Sequence, residues 1–245
     1  MPYKTTFSLC LVMGFLLSAG CTVTPPESGP ELSASPPLAP LDGIWKGEFD
    51  IGGRGPFDFT AVHIDGKAYA YSERAKAMCV GTVELDGENY TSTYALFVLD
   101  GGPFDLAKLT GKATEQNEIA SHFATMNGGD TGALNLEYDA VYNTPSSLEM
   151  VTGAWSYTDQ DNLTTQFDIG TEGVIQGRDS DHCQYQGQVG IINPDYNAYR
   201  IAVEISGCSS VNGAYEGVSF LAEDRLSVQI ANARYALFFA FDRDP

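Results

Sequence analysis

Apolar and polar residues alternate along several stretches of the chain, so that one face of an extended backbone is mostly apolar. A period of two is typical of strands that bury one face. In residues 226–231 it places Ser227, Gln229 and Ala231 opposite the apolar face. The apolar faces are Tyr90, Ser92, Tyr94, Leu96 and Val98; Tyr199, Ile201, Val203 and Ile205; Leu226, Val228 and Ile230; and Tyr235, Leu237, Phe239 and Phe241.

These stretches recur about every ten residues, a spacing that favours a barrel or sandwich built of hairpins. Beyond the N-terminal segment, no stretch has an apolar stripe with the 3.6-residue period of a helix. A single turn of helix is expected at residues 144–148, where Thr144 would cap it and Pro145 would open it. The fold class is therefore expected to be all-β.

The tripeptide Gly-x-Trp occurs twice, at residues 43–45 and again 110 residues later at 153–155. The separation of further matching pairs shrinks along the chain, as it does when the second copy has slightly shorter loops. Each copy has room for about eight short strands, so the sequence predicts two tandem antiparallel eight-stranded up-and-down barrels. The matching pairs are Gly81 with Gly187 at 106, Gly111 with Gly217 at 106, and Tyr138–Asp139 with Phe241–Asp242 at 103.

The Gly-x-Trp opening resembles the first strand of lipocalin- and avidin-type barrels, in which the tryptophan closes the base of the barrel. This resemblance implies structural roles for Trp45 and Trp155. In lipocalins an arginine near the last strand covers that tryptophan, which implies that Arg243, just after the final strand, stacks on Trp155. The first copy ends at Asp139 without an arginine, so the device is expected in the second copy alone.

The N-terminus has the features of an export signal. Lys4 precedes an apolar run at residues 7–17, which is shorter than the ~20 residues that a membrane span needs. Residues 17–21, LSAGC, resemble the lipobox of bacterial lipoproteins, which implies cleavage after Gly20 and acylation of Cys21. The alternative is an ordinary signal peptide, which would leave Cys21 as a free thiol.

Residues 22–40 include six prolines and almost no bulky apolar residue, a composition that predicts a disordered tether. A tether is useful if its first residue is held in a membrane, which supports the lipoprotein interpretation. Thr22, rather than Asp, follows the cysteine, and by the same resemblance this implies the outer membrane of a Gram-negative bacterium. The predicted organisation is a signal peptide (1–20), a disordered tether (21–40), a first barrel (41–141), a linker (142–150) and a second barrel (151–245).

The chain is strongly acidic, with a formal net charge of −19. Cleavage after Gly20 would remove Lys4 as the one charged residue of the signal and leave a charge of −20. Such a surface argues against nucleic acid as a partner and against binding to anionic lipid headgroups. The membrane is therefore expected to be reached through the N-terminal lipid.

Three cysteines lie beyond the signal and the acylation site, in a compartment that is oxidising. The runs 185–191 and 197–205 flank a turn at 193–196, and Cys183 and Cys208 lie at similar distances from its centre. They should face each other at the open end of a hairpin and form a disulfide. Cys79 would then be a small buried residue or, alternatively, would pair with another molecule.

A longer pattern resembles a group of uncharacterised proteobacterial lipoproteins. These proteins also have a linker like residues 142–148, Tyr-Asn-Thr-Pro-Ser-Ser-Leu, before a Gly-x-Trp domain. The resemblance covers most of the mature chain and implies its build, but no mechanism. The residues that carry it are Cys183, Tyr185, Gly187, Val189, Asn197, Tyr199, Cys208, Asn212, Gly213, Tyr215 and Gly217.

Few residues lie in patterns that carry chemistry. His63, His122 and His182 lack the spacing of zinc ligands or of a nucleophile with its base. Acidic residues gather at 159–162 and 179–183, but turns use the same residues, and a turn is the expected role of both segments. No nucleophile elbow or phosphate-binding glycine loop is present in the sequence. We therefore expect no catalytic residue, no cofactor and no metal site.

These features favour a non-catalytic binding or interaction module of the cell envelope, displayed on a membrane, with an envelope protein as its partner. The alternative is a lipocalin-like carrier of a small apolar ligand, which needs a cavity above ~300 Å³. An enzyme would need titratable groups that converge in a cleft. An eight-stranded barrel is either filled or holds one small ligand, and filled barrels are favoured by the large inward candidates Tyr199, Tyr235, Phe239 and Phe241.

Overall fold

A computed structural model describes residues 39–244 of the chain. The predicted signal peptide, the predicted acylation site Cys21 and the predicted tether up to residue 38 lie outside the described residues. Within residues 39–244, no helix is long and apolar enough to cross a membrane.

The described chain forms two closed antiparallel barrels of eight strands each, which confirms the predicted fold class. In the first barrel each strand pairs with the next, and β1 closes on β8 between Ile44 paired with Asp139 and Phe49 paired with Leu134. Its strands are β1 (Gly43–Ile51), β2 (Arg54–Ile64), β3 (Lys67–Ser72), β4 (Ala77–Asp86), β5 (Asn89–Val98), β6 (Pro103–Thr114), β7 (Glu118–Thr125) and β8 (Thr131–Asp139).

The second barrel repeats this order and closes over a shorter seam. Its last strand meets its first through Asp242 paired with Ser156 and Arg243 paired with Trp155. Its strands are β9 (Gly153–Thr158), β10 (Thr164–Ile169), β11 (Val174–Asp179), β12 (Gln184–Ile191), β13 (Tyr199–Ser206), β14 (Gly213–Ala222), β15 (Arg225–Ala231) and β16 (Ala236–Arg243).

Two short helical turns connect the barrels, a 3₁₀ turn at Ala140–Asn143 and α1 at Leu148–Val151. The prediction of one turn at residues 144–148 is therefore wrong. Asp139 and Ser147 supply the capping oxygens, which accept hydrogen bonds from the backbone N–H groups two and three residues further on. Thr144 ends the first turn instead of opening one.

The repeat inferred from sequence corresponds to equivalent strands. Gly81 lies in β4 and Gly187 in β12, each the fourth strand of its barrel. A Cβ atom at Gly81 would lie 1.9 Å from the Thr93 carbonyl oxygen, and one at Gly187 would lie 2.2 Å from that of Ala202. No side chain fits at either position, because the backbone of the next strand crosses too closely.

Two matching pairs of the repeat need a correction. Tyr94 pairs with Ala107 as Val203 pairs with Tyr215, so the residue equivalent to Gly217 is Leu109 and not Gly111. Trp45 pairs with Tyr138 across the seam of the first barrel, and Trp155 pairs with Arg243 across that of the second. The residue equivalent to Tyr138 is therefore Arg243, at a separation of 105 and not 103. The sequence analysis matched Tyr138 with Phe241 because both are aromatic. The equivalent residues are instead defined by the strand pairing.

Burial follows the predicted alternation where a strand faces solvent on one side. In β13 buried and exposed residues alternate along the whole strand. The prediction for β5 is wrong at its end, because the register shifts between Leu96 and Phe97. Phe97 is buried and Val98 is 49% exposed.

The two barrels pack against each other within one compact unit. Ser227 and Gln229 lie opposite the apolar face of β15, as predicted, yet both are buried because the first barrel covers that side. The ring of Phe238 stacks on that of Tyr71 with centroids 3.9 Å apart. The apolar residues of this interface are Ile44, Val62, Ile64, Met78, Phe97, Tyr142, Ala198, Val218, Phe220 and Ala236.

The backbone of β16 is also tied to the first barrel. The Phe238 N–H donates to the Asp100 carboxylate at 2.9 Å, and the Ala236 N–H donates to the Gly101 carbonyl at 3.0 Å. The loop between β5 and β6 therefore pairs with the start of β16 over a short distance.

Candidate functional site

One end of each barrel is closed by its tryptophan. The Trp45 ring N–H donates to the Leu41 carbonyl at 3.0 Å, and the Trp155 ring N–H donates to the Val151 carbonyl at 2.8 Å. Both tryptophans are fully buried, so these hydrogen bonds satisfy a polar group that would otherwise be stranded in the core. The two barrels thus use the same closing device.

The cover over each tryptophan differs between the barrels. The Arg243 guanidinium carbon lies 4.2 Å from the centroid of the Trp155 ring, in the cation–π contact expected from the lipocalin resemblance. Arg243 is the last residue of β16 rather than a residue after it. It also donates to the carbonyls of Thr152, at 2.8 Å, and Met150. In the first barrel Tyr138 meets Trp45 edge-on at 5.4 Å.

The interior of the second barrel is filled by its own aromatic side chains. Phe167 lies 4.5 Å from Phe241, and Phe239 stacks on Phe241 at 5.3 Å between ring centroids. Tyr185 and Tyr157 pack around the same rings. The prediction of a filled barrel is therefore confirmed for the second barrel. All the residues on which that prediction was based lie in this half of the chain.

The first barrel keeps a cavity of about 150 Å³ at the end away from Trp45. Phe49, Phe59, Phe104 and Phe123 are among the residues that line it, and the lining is mainly apolar. The Phe49 ring lies 5.7 Å from Phe59 and 6.3 Å from Phe123. These rings form an aromatic rim around the cavity.

Cys79 lines the same cavity and is the free cysteine of residues 39–244. It is 7% exposed, and burial raises the pKa of its thiol to about 12. The thiol is therefore protonated and acts as a small apolar group. Of the two roles left open by the sequence, this burial favours the small buried residue.

A small polar cluster lies between the cavity and Trp45. The Tyr94 hydroxyl, beside the cavity, contacts the His63 ring nitrogen Nε2 at 3.4 Å. Burial lowers the pKa of His63 to about 3, so its ring is neutral at any ordinary pH. Buried atoms without a hydrogen-bond partner also lie in this barrel, on His63 (Nδ1), Tyr90 and Ser121.

Exposed apolar side chains are concentrated near the cavity. The backbone N–H of Met126 donates to the Leu106 carbonyl at 2.8 Å, which places the β7–β8 loop beside the start of β6. The Asp105 carboxylate accepts from the N–H groups of residues 127 and 128 and fixes the same loop. The apolar rim patch, as we call it, comprises Val98, Phe104, Leu106 and Met126, which are 40–56% exposed.

The predicted disulfide between Cys183 and Cys208 is present at the open end of the β12–β13 hairpin. It borders a wider depression of about 450 Å³ at the end of the second barrel, lined by several carboxylates. Asp159 and Asp179 accept hydrogen bonds from the backbone of their own turns, and Asp100 accepts one from the Phe238 N–H. Asp179 accepts from the N–H of Cys183 at 2.9 Å and from the Tyr185 hydroxyl at 3.0 Å.

Among residues 39–244, one group of potential metal ligands lies close together, namely Asp179, Cys183 and Cys208. Both sulfurs belong to the disulfide, so they are not available as thiolate ligands. The two remaining histidines of residues 39–244 also do not line the cavity. His122 lies on the exposed face of β7, and His182 lies in the β11–β12 turn.

The residues that form the cavity were missed by the sequence analysis. Cys79 and Leu134 line the cavity at inward positions of the first barrel. The equivalent positions of the second barrel hold Tyr185 and Phe239. The signal was present in the sequence, as small residues opposite large ones, but it becomes readable only when the two halves are aligned strand by strand.

No family model, curated protein or solved structure matches this chain. The resemblance of the chain to lipoproteins and to lipocalin-type barrels therefore stays a prediction.

Proposed function

We propose that this protein is a lipid-anchored, non-catalytic binding module of the bacterial cell envelope. The anchor is the acylated Cys21, most simply in the outer membrane of a Gram-negative bacterium. The open end of the first barrel is the binding element, and the second barrel is its filled support.

The observation that carries this proposal is the difference between the two barrels. The second barrel is filled by aromatic side chains, whereas the first has a cavity and the apolar rim patch at one end. Clustered exposed apolar residues on an otherwise acidic protein are typical of an interaction surface. Val98, Phe104 and Leu106 lie on strands that are paired on both sides, and Asp105 fixes the loop that carries Met126, so the surface is rigid.

The anchor is tested by radiolabelled palmitate in cells that express the full-length chain. We expect label in the wild-type protein and none in Cys21→Ala. Cys10→Ala is the matched control, because Cys10 lies in the signal that is removed, and it should be labelled normally. Label that persists in Cys21→Ala would refute the anchor.

The binding element is tested by photo-crosslinking in the native envelope. A photoreactive phenylalanine analogue at Phe104, on the apolar rim patch, should give a discrete crosslinked species that mass spectrometry can identify. The same analogue at Val174 is the control, since Val174 is an equally exposed apolar strand residue of the second barrel. Identical products at the two positions, or none at Phe104, would contradict the assignment.

A second candidate function is a carrier of a small apolar ligand, which the cavity favours. At about 150 Å³ the cavity is half of the ~300 Å³ at which ligand sites usually begin. A whole lipid molecule is therefore too large for it. Organic extraction of the protein purified from its native envelope tests this candidate, which predicts a stoichiometric small molecule in the extract.

A further inference from the structure

We propose that the cavity of the first barrel binds one small apolar ligand, the size of a single aromatic ring or a short branched alkyl group. This inference rests on the proposed binding function and specifies the ligand class of the same site. It follows from what the first barrel lacks relative to its own second copy, from the shape of the rim and from the chemistry of the lining.

Strand pairing gives the equivalent positions of the two barrels. Ala61 pairs with Trp45 as Phe167 pairs with Trp155. Cys79 and Tyr185 each lie two residues before the glycine of the fourth strand. By the same register, the aromatic residues that fill the second barrel and their first-barrel equivalents are Tyr157 and Gly47, Phe167 and Ala61, Tyr185 and Cys79, Phe239 and Leu134, and Phe241 and Leu136.

All five replacements reduce side-chain volume, and two of the five positions, Cys79 and Leu134, line the cavity. The change at the rim has the opposite direction. The second barrel has polar residues, Asp159 and Thr165, at the positions equivalent to Phe49 and Phe59. At the position equivalent to Phe123 it has the smaller Ile230. Compared with the second barrel, the first therefore has smaller side chains in its interior and larger apolar side chains at its opening. This leaves room inside and an apolar entrance.

The lining sets the chemical class of the ligand. The Cys79 thiol is protonated, and the Tyr94 hydroxyl is directed to His63. Asp130, at the outer end, lies 3.7 Å from the Arg54 guanidinium. A charged ligand would find no buried partner of opposite charge. An enclosed apolar cavity of about this volume takes up molecules such as benzene or xenon. The cavity of the first barrel has a mainly apolar lining of the same kind, although it opens to solvent at the rim.

The first test uses the wild-type cavity and benzene as the probe. The protein is the mature chain, residues 21–245, with Cys21→Ser, so that neither lipid nor detergent competes for the probe. We expect saturable one-to-one binding in NMR titration, with nuclear Overhauser contacts from benzene to the methyl groups of Leu109 and Leu134. Leu226 and Leu237 of the second barrel are the internal control and should show none. Unsaturable binding, or contacts to both barrels alike, would overturn the proposal.

The second test fills the cavity with the residue that the second copy has. Cys79→Tyr should weaken benzene binding by about tenfold or more, equivalent to ~1.4 kcal/mol. Ala68→Ile is the matched control. It also introduces the residue found at the equivalent position of the second barrel, Ile175, but at an inward position that does not line the cavity. If amide spectra show that Cys79→Tyr does not fold, Leu134→Phe replaces it. A folded, filled variant with unchanged affinity would contradict the site.

The two proposals fail separately. Absence of benzene binding together with a specific crosslink at Phe104 would remove the ligand site and leave the binding module. Benzene binding in the expected place, with no label on Cys21 and no crosslink, would leave the ligand site and remove the envelope function.

Discussion

The stack of Phe238 on Tyr71 should couple the two barrels energetically. Phe238 belongs to the second barrel and is 2% exposed, and its ring lies 3.9 Å from that of Tyr71 in the first. Phe238→Ala removes a fully buried phenyl ring and should lower the free energy of unfolding by about 3–5 kcal/mol. The part that belongs to the pair itself should be about 0.5–1.5 kcal/mol, the usual value for an aromatic contact beyond its burial.

A double-mutant cycle separates the pair from the burial. Tyr71→Ala, Phe238→Ala and the double variant are unfolded in urea, and the fluorescence of Trp45 and Trp155 reports on one barrel each. The control cycle replaces Phe238 by its neighbour Phe239, which is as buried but faces the interior of the second barrel.

We expect a coupling energy near 1 kcal/mol for Tyr71 with Phe238, and additivity within about 0.5 kcal/mol for Tyr71 with Phe239. Equal coupling in the two cycles would refute the reasoning, because it would mean that the measured loss comes from the stability of the second barrel and not from its contact with the first.

Three further predictions concern other parts of the fold. Loss of the disulfide in a Cys183→Ser, Cys208→Ser variant should lower the free energy of unfolding by about 3.5 kcal/mol, since the bond closes a loop with a sequence separation of 25, and urea unfolding measures this; an unchanged midpoint would contradict it. Gly187→Ala should destabilise by about 2 kcal/mol or more in thermal unfolding, because its Cβ would lie 2.2 Å from a carbonyl oxygen, whereas Gly190→Ala in the same strand meets nothing within 4 Å and should change little. In the folded chain the pKa of His63 is lowered to about 3, so the ring stays neutral at pH 5. In the unfolded chain its pKa is ~6.5, so it takes up a proton as the pH falls. The free energy of unfolding should therefore fall by about 2 kcal/mol on going to pH 5. His63→Gln should remove this part of the pH dependence, and His122→Gln, at an exposed position, should retain it.

The elements that a local pattern determines could be predicted from the sequence. The alternation in β13 gave a strand with the correct buried face, and the positions of Cys183 and Cys208 around one turn gave the disulfide. Gly-x-Trp marked the first strand of each barrel, because a buried ring that must hydrogen-bond to a carbonyl four residues earlier leaves a fixed local signature.

The contact between the barrels could not be predicted, because it depends on surfaces distant in sequence. Ser227 and Gln229 are polar and lie on the outer side of β15, so the sequence alone assigns them to solvent. They are buried only because another barrel covers them. In β14, by contrast, Val218, Ser219 and Phe220 are buried in succession, so both faces of the strand are buried. The apolar residues Val218 and Phe220 on the outer face indicate this in the sequence.

The cavity was missed for a different reason. Large inward residues such as Phe239 were taken to represent both barrels, although all of them came from the second half of the chain. The size of a barrel's interior depends on the sum of its inward side chains, and a few large residues in one copy say nothing of the other.

The barrels dock through strands that are not equivalent. The first barrel contributes β1 to β5, through residues such as Ile44 and Phe97, while the second contributes its later strands, through Val218 and Ala236. A head-to-tail contact of this kind would allow a third barrel to add to the first in the same way, and so on without end. The matching outer face of the first barrel is exposed and polar at residues such as Lys108 and Glu137, so it lacks the apolar side chains that a contact of this kind buries.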